Sequence, residues 1–335
     1  MAIRAHRLGG PEVLRREEIE VPDPGPGEVL VRQKAVGLNY ADTYHRRGLY
    51  PLPSIPAVRR PAVVGVEAAG VVEAVGPRAR DAKSADRSRV FRPGDRVAYC
   101  DVRGAYCVRR VVPANRLVRI PDGVDFEHAA AVMLKGVTAW YLCRRTYRLR
   151  ADETVLVHAA AGGVGTILTQ WCKALGATVI GTAGSVEKGR VAREHGCDHI
   201  VLYEEEDFVA RVREITGGEG VPVVFDGVGA ATFDGSLKCL ARFGMMVSFG
   251  NASGVVPPFN LLRLTAGSLT VARPSVMAHI ERRADLDEAA GELFGHIEAS
   301  RIRIPIGQRF RLADAAEAHR ALESRRTHGC TVMLT

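Results

Sequence analysis

The chain has 335 residues, of which 47% are apolar and 25% are charged. This balance excludes a disordered chain, a collagen-like repeat and a small disulfide scaffold. The formal net charge of +8 favours an anionic partner, but it does not choose between nucleic acid, an anionic lipid surface and a phosphorylated cofactor. No apolar run reaches the roughly 18 residues that span a bilayer, and the N-terminus lacks an apolar signal segment. The seven cysteines form no C-x-x-C pair, so we expect a cytoplasmic protein with reduced thiols.

The order of the predicted elements divides the chain into two domains. Up to about residue 120 the sequence is rich in turns and strands, such as 29–36 and 70–75. From about 125 strands alternate with helices, which predicts an α/β fold with a doubly wound parallel sheet of the Rossmann type. The six strands predicted for this sheet are 153–158, 177–182, 199–203, 221–226, 244–249 and 268–272.

The C-terminal segment is expected to return to the first domain. A helix at 284–300, a strand at 302–304 and a final helix at 312–324 are predicted there. The predicted bounds are therefore 1–124 with 267–335 for the β-rich domain and 125–266 for the Rossmann domain.

A glycine-rich turn follows the first strand of the parallel sheet. Residues 154–165 read TVLVHAAAGGVG, an apolar strand that runs into a turn and opens a helix. Relative to a G-x-G-x-x-G fingerprint, Ala160 replaces the first glycine, and Gly162 and Gly165 keep the second and third. Glycines at these places let backbone N–H groups approach a pyrophosphate at the helix N-terminus. The pattern predicts a dinucleotide site, the alternative being an ordinary turn.

The end of the next strand favours NADPH over NADH. An NAD site usually has Asp or Glu there to bind the ribose hydroxyls. Residues 181–188 read GTAGSVEK, with no acid at the strand end. The missing carboxylate leaves room for a 2′-phosphate, to which Ser185 and Lys188 can donate. The alternative is a solvated lysine on the following helix.

The β-rich half followed by this βαβ series resembles the medium-chain dehydrogenases/reductases, whose alcohol dehydrogenases use a catalytic zinc. In those enzymes a Cys and the His of a Gly-His-Glu segment bind the metal. Here Asn39 stands at the Cys position and Val66 at the His position, and valine has no lone pair to offer. We therefore expect no metal and no alcohol oxidation through zinc.

Seven segments narrow the resemblance to the NADPH:quinone oxidoreductases of the zeta-crystallin type, and among them to the bacterial members. They are Gly9–Leu14, Gly37–Tyr44, Gly48–Pro51, Leu134–Ala139, His158–Gly165, Val247–Gly254 and Leu322–Arg325. The chain resembles this family over nearly its whole length and departs from it at Ala57–Arg60 and in an Arg-rich insert, Arg78–Val90. The resemblance implies a GroES-like catalytic domain, a Rossmann cofactor domain and a homodimer.

The same resemblance implies the residues of the site. The substrate cleft, with the catalytic set, contains Asn39, Asp42, Tyr44 and Tyr50. The residues implied around NADPH are Lys135, Thr138, Gly162, Gly163, Val164, Gly165, Ser185, Lys188, Tyr203, Phe249, Gly250, Asn251, Arg273 and Arg325. These residue types suit a quinone, because tyrosine rings stack on flat molecules and an asparagine amide can donate to a carbonyl oxygen.

The expected function is the transfer of a hydride or of single electrons from NADPH to a quinone without a metal. The nearest alternative is a reductase of enones or alkenals, which delivers hydride to the β-carbon of a conjugated carbonyl. A protein that binds NADPH without turnover is a further alternative. The net charge and the RNA binding of some relatives suggest an NADPH-sensitive RNA-binding protein. The chain has no RNA-binding motif and no interleaving of basic with aromatic residues, so we expect no nucleic-acid partner.

Overall fold

The structure is a computed structural model that describes residues 1–50, 61–77 and 90–335. The segment Ala57–Arg60 and all of the Arg-rich insert except Val90 lie outside the described residues. Two compact units emerge: residues 1–134, 280–294 and 306–335 form the first, and residues 135–279 and 295–305 form the second. The domain bounds inferred from the sequence stay a prediction.

The elements of the N-terminal part are mostly strands. In chain order they are β1 (Ala2–Ala5), β2 (Leu14–Glu17), β3 (Glu28–Leu38), α1 (Tyr40–Arg47), β4 (Ala62–Val63), β5 (Glu67–Val75), β6 (Arg96–Cys100), β7 (Arg109–Pro113), β8 (Val118–Arg119) and α2 (Phe126–Tyr141).

The elements that follow alternate between strands and helices. They are β9 (Thr154–Val157), α3 (Gly163–Ala174), β10 (Thr178–Ala183), α4 (Val186–Glu194), β11 (His199–Leu202), α5 (Phe208–Ile215), β12 (Val221–Asp226), α6 (Phe233–Cys239), β13 (Leu240–Ser248), β14 (Thr270–Ala272), α7 (Val276–His279), α8 (Arg283–Glu298), β15 (Ile306–Arg311), α9 (Ala315–Glu323) and β16 (Cys330–Leu334).

The first unit is built around β3, which is long enough to pair with three other strands. The sheet order is β15-β16-β3-β5-β6-β8, and β7 also pairs with β3. In the first half of β3 the side chains alternate, with Val29, Val31 and Gln33 buried. This alternation is typical of a strand with one face on the core. The C-terminal strand β16 pairs antiparallel with β3, which confirms the expected return of the chain.

The second unit contains a six-stranded sheet in the order β11-β10-β9-β12-β13-β14. All five strand pairs are parallel. Numbered within the sheet, this is the 3-2-1-4-5-6 order of a Rossmann fold, whose order reverses between β9 and β12. The central strand β9 is buried from Val155 to Val157, because helices cover both faces of a parallel sheet.

One predicted strand is wrong. Residues 302–304 form no strand, and β15 begins at Ile306 instead. The side-chain amide of Gln170 explains the difference, because it accepts from the backbone N–H of Arg303 at 2.8 Å and donates to the Arg303 carbonyl at 2.9 Å. The backbone groups that a strand neighbour would bind are therefore bound by a glutamine.

Three global expectations can be compared with the fold. All seven cysteines are buried, and none forms a disulfide. Within the described ranges, no helix combines the length and hydropathy needed to cross a membrane. Across the same residues, no group of three or more His, Cys, Asp and Glu side chains is arranged to hold a metal ion.

Candidate active site

The glycine-rich turn lies between β9 and α3 in the second unit. Ala159 adopts a left-handed backbone conformation, with φ of 52°, and its carbonyl accepts from the N–H of Gly162 at 2.8 Å. Gly165 packs so closely against this turn that a Cβ atom there would lie 2.8 Å from the Cα of Ala160 and closer still to the Ala159 carbonyl oxygen. Only glycine fits at residue 165, which keeps α3 against the strand and its N-terminus open to an anion.

The end of β10 brings together three of the residues predicted at the adenosine end of the cofactor. Ser185 is the N-cap of α4, where its hydroxyl oxygen accepts from the backbone N–H of Lys188 at 3.3 Å. The phenol of Tyr203 covers Gly184, so that a Cβ on this glycine would lie 2.5 Å from the Tyr203 oxygen. The group contains a cation and two hydroxyls. β10 itself ends in Thr182 and Ala183, and a carboxylate oxygen of Glu204 would lie 3.4 Å from the same Cβ on Gly184.

Arg273 connects the loop after β13 to the end of β14. Its guanidinium donates to the carbonyl of Ser248, to the Ser248 hydroxyl and to the carbonyl of Gly250, each at 3.1 Å. With the amide turned to satisfy its neighbours, Asn251 accepts from the same guanidinium at 2.8 Å. Phe249 lies in the loop held by this arginine, so the structure brings these predicted cofactor residues together at the carboxyl edge of the sheet.

Asn39 lies at the end of β3 in the first unit, where it is hydrogen-bonded to a buried carboxylate. Its Nδ2 atom donates to Glu67 Oε2 at 2.7 Å, and Glu67 Oε1 accepts from the backbone N–H of Leu134 at 2.6 Å. Glu67 has no solvent exposure. Gly37 makes room for it, because a Cβ atom there would lie 2.8 Å from the Glu67 carboxyl carbon. Glu67 is not among the predicted site residues, and its signal in the sequence is a lone acid in the otherwise apolar run of residues 62–69.

Asp42 is buried in the first turn of α1. Its carboxylate accepts from the backbone N–H of Asn39 at 2.8 Å and from the hydroxyl of Tyr106 at 3.1 Å, and it has no solvent exposure. The first contact is one half of a capping box. Asp42 thus fixes the start of the helix that carries Asn39 at its N-cap.

The Tyr106 hydroxyl continues into a second buried cluster. It lies 3.0 Å from His319 Nε2, and His319 Nδ1 lies 2.9 Å from an Arg46 guanidinium nitrogen. Arg46 also forms an ion pair with Glu323 at 2.7 Å. Burial, together with the Arg46 charge, lowers the pKa of His319 to about 3, so the imidazole accepts from arginine as a neutral ring.

The two predicted tyrosines, one within α1 and one just after it, contact each other. The ring centroids of Tyr44 and Tyr50 are 5.2 Å apart in an edge-to-face arrangement, and the backbone N–H of Tyr50 donates to the Tyr44 carbonyl at 3.2 Å. Tyr44 is buried, whereas Tyr50 is half-buried. The pair presents aromatic surface within the first unit.

The remaining predicted residues lie on α2 and after α9. Lys135 and Thr138 are both buried and are three residues apart, so they share one face of α2. They belong to the second unit. Arg325 belongs to the first unit, where it follows α9 as an exposed residue with φ of 58°.

Comparisons with known proteins agree with this architecture. Residues 25–122 match the family model of the alcohol dehydrogenase GroES-like domain, and residues 163–293 match that of the zinc-binding dehydrogenases. A quinone oxidoreductase of Pseudomonas aeruginosa is 50% identical over 97% of both chains. The chain belongs to the quinone oxidoreductase family. The predicted family resemblance is confirmed, as is the fold of a GroES-like domain with a Rossmann domain.

Two further relatives indicate the range of the family. The crystal structure of Escherichia coli quinone oxidoreductase complexed with NADPH matches with a TM-score of 0.93 and 45% identity, and the match covers 100% of this chain and 99% of that one. A 2-haloacrylate reductase of a Burkholderia species is 42% identical over 100% of this chain and 98% of its own. Family membership therefore includes reductases with different acceptors.

Proposed function

We propose that this protein is an NADPH-dependent quinone reductase. The observation that carries the proposal is identity of 45–50% to three bacterial quinone oxidoreductases over at least 97% of both chains. It is supported by the site residues of each unit, whose chemistry suits a phosphorylated dinucleotide in the second unit and a carbonyl acceptor in the first.

The residues of the second unit fit NADPH. The turn that Ala159 and Gly165 shape presents the N-terminus of α3 to a pyrophosphate. At the end of β10, Lys188 offers a compact charge to a 2′-phosphate, the Ser185 hydroxyl lies at the start of the same helix, and the Tyr203 hydroxyl lies against Gly184. When bound, NADPH supplies a hydride from its nicotinamide ring.

The residues of the first unit fit a carbonyl acceptor. The Nδ2 atom of Asn39 carries two hydrogens, and because Glu67 accepts one of them, the other remains to donate to a quinone oxygen. Tyr44 and Tyr50 supply flat apolar surface that excludes water from a bound ring. A quinone takes one hydride and one proton to become a hydroquinone, so positioning and water exclusion are the main requirements on the protein.

A reductase of conjugated double bonds is the second candidate. The observation that favours it is the 42% identity to a 2-haloacrylate reductase over nearly the full length of both chains. In that reaction the hydride goes to carbon, and an enolate oxygen takes the place of the hydroquinone oxygen. The same Asn39 donor suits both oxygens, so the acceptor has to be identified by assay.

Steady-state NADPH oxidation by the purified protein separates the candidates. Benzoquinone, naphthoquinone, 2-alkenals and 2-chloroacrylate serve as acceptors, and cytochrome c reduction detects single-electron products. We expect turnover with quinones. Turnover confined to alkenals or 2-chloroacrylate would refute the proposal, and NADPH binding with no acceptor reduced would identify a cofactor-binding protein without turnover.

We also propose a cytoplasmic homodimer. The edge strand β14 and the exposed Leu261 and Leu262 on the preceding segment are apolar surface that a second copy of the chain can cover. The buried, unbridged cysteines suit a reducing compartment. Light scattering on the purified protein tests the dimer, and a monomer at micromolar concentration would contradict it.

A further inference from the structure

A chain of four polar side chains runs through the interior of the second unit, below the carboxyl edge of the sheet. The Thr182 hydroxyl lies 3.0 Å from His158 Nδ1, His158 Nε2 lies 3.0 Å from the Ser236 hydroxyl, and this hydroxyl lies 3.0 Å from Asp226 Oδ2. None of the four is more than 2% exposed. Buried polar groups destabilise a fold unless each is hydrogen-bonded, so a buried network of this kind indicates a specific role.

Asp226 sets the direction of the chain because it receives four hydrogen bonds. Its Oδ1 atom accepts from the backbone N–H groups of Val228 at 2.7 Å and Gly229 at 3.0 Å. Its Oδ2 atom accepts from the hydroxyls of Thr232 at 2.7 Å and Ser236 at 3.0 Å. A carboxylate can only accept hydrogen bonds, so the Ser236 hydroxyl must donate its single hydrogen to Asp226.

The donor and acceptor roles of His158 and Thr182 follow from this contact. Since Ser236 donates to Asp226, its oxygen accepts from a hydrogen on Nε2 of His158. The Nδ1 atom is left as an acceptor for the hydroxyl of Thr182. Burial lowers the pKa of His158, although the Asp226 charge acts in the opposite direction, and a neutral ring is what this order requires.

At the end of this hydrogen-bond series opposite to Asp226, Thr182 contacts the glycine-rich turn. The Thr182 oxygen accepts from the backbone N–H of Ala159 at 3.3 Å, and the Thr182 carbonyl accepts from the N–H of Ala160 at 3.0 Å. Ala159 is an alanine in the left-handed region, a strained conformation that needs surrounding contacts to persist. A hydroxyl fixed by His158 is such a contact.

We propose that Thr182 is a positioning residue for the dinucleotide, which acts by fixing the Ala159 peptide through the hydrogen-bond order that Asp226 imposes. The inference rests on the proposed function only in that the turn binds a dinucleotide. Because the pyrophosphate is common to both nucleotides, the residue affects NADPH and NADH alike. It does not contribute to the choice between them.

Replacing the hydroxyl by a methyl group of similar size tests the proposal. Titration of nucleotide fluorescence gives the Kd of NADPH and NADH for the wild type, Thr182→Val and Thr182→Ser. One lost hydrogen bond predicts that Thr182→Val raises both Kd values by the same factor, about 2- to 10-fold, and that Thr182→Ser restores them. The matched control is Thr169→Val, at a buried threonine of the same unit. Among the described residues, its hydroxyl has one hydrogen-bond partner, Cys197 Sγ at 3.7 Å.

The outcomes separate a positioning role from a structural one. A Thr182→Val protein with a lower Tm and unchanged Kd values overturns the inference while leaving the proposed function intact. A wild-type protein that binds neither nucleotide refutes the proposed function and the inference together.

A measurement on the wild type keeps the proposal testable if the valine variant does not fold. The ¹H–¹⁵N imidazole spectrum, assigned by comparison with His158→Gln, is expected to show His158 neutral at neutral pH, with its hydrogen on Nε2. A hydrogen on Nδ1 would mean that the ring cannot accept from the Thr182 hydroxyl, which would overturn the inference.

Discussion

Glu67 offers the sharpest test of the first unit, because one buried carboxylate binds two donors. Asn39 Nδ2 and the Leu134 N–H donate to it at 2.7 Å and 2.6 Å. Glu67→Ala leaves both donors buried without this acceptor, at about 1–3 kcal/mol each. The expected loss of about 2–6 kcal/mol is a large part of the roughly 5–15 kcal/mol that stabilises a typical protein.

Glu67→Gln is the more informative variant. The two donors bind different oxygens of Glu67, and the glutamine amide replaces one of these oxygens by a nitrogen that cannot accept. One donor therefore loses its acceptor, and the expected loss in free energy of unfolding is about half as large, roughly 1–3 kcal/mol. If the glutamine oxygen stays with Leu134, the Asn39 amide must turn over to place its oxygen toward the glutamine nitrogen. The Asn39 hydrogens then move, and we expect quinone turnover to fall about 5- to 10-fold with the NADPH Kd unchanged.

Urea unfolding and steady-state assays check both effects. The matched control is Glu73→Gln on the same strand, where the carboxylate pairs with Arg32 and Arg109, which are 49% and 54% exposed. Exposed pairs contribute about 0–1 kcal/mol, so this control is expected to remain near wild type in stability and turnover. A Glu67→Gln protein as stable as the control would refute the contacts. One that is less stable but turns over normally would refute the role of Asn39.

Three further outcomes are expected. Lys188→Ala weakens NADPH by about 10- to 150-fold and leaves NADH unchanged in fluorescence titrations, whereas equal losses would contradict a 2′-phosphate contact. Gly165→Ala pushes the turn at Ala159 outward and raises the Kd of both nucleotides by at least about fivefold, so unchanged binding would contradict the packing. His319 has a pKa lowered from 6.5 to about 3, so only the unfolded chain binds its proton between those values and stability falls as the pH falls. Between a pH well above 6.5 and pH 5, the free energy of unfolding measured in urea is expected to fall by about 2 kcal/mol, and His319→Gln is expected to remove this fall. An identical pH dependence in the variant would exclude His319 as its source.

The parallel sheet was predictable because its signals are local. Each of the six strands is a short apolar run next to glycine or a helix, and each appears within a few residues of its predicted position. The strand predicted at 302–304 failed because Gln170, which is 133 residues away from Arg303 in sequence, takes its backbone groups. A side-chain amide that substitutes for a strand leaves no trace in the apolar pattern.

The same distinction applies to the site. The turn around Gly165 and the end of β10 are each a single continuous stretch of sequence, so their chemistry could be inferred from residue spacing. The Asn39–Glu67 contact joins residues 28 apart, and His158 bonds Ser236 across 78 residues. Such contacts follow from the arrangement of strands, which a single sequence does not give.

The Asn39–Glu67 pair also bears on how readily this protein could evolve into a metalloenzyme. A cysteine at residue 39 would supply a possible ligand, but it would remove the amide that donates to a carboxylate with no solvent exposure. A histidine at residue 66 would have to enter a position that is 3% exposed. Each first mutation therefore destabilises the fold before an ion can bind and stabilise it, so a path from this state to a zinc site passes through less stable intermediates.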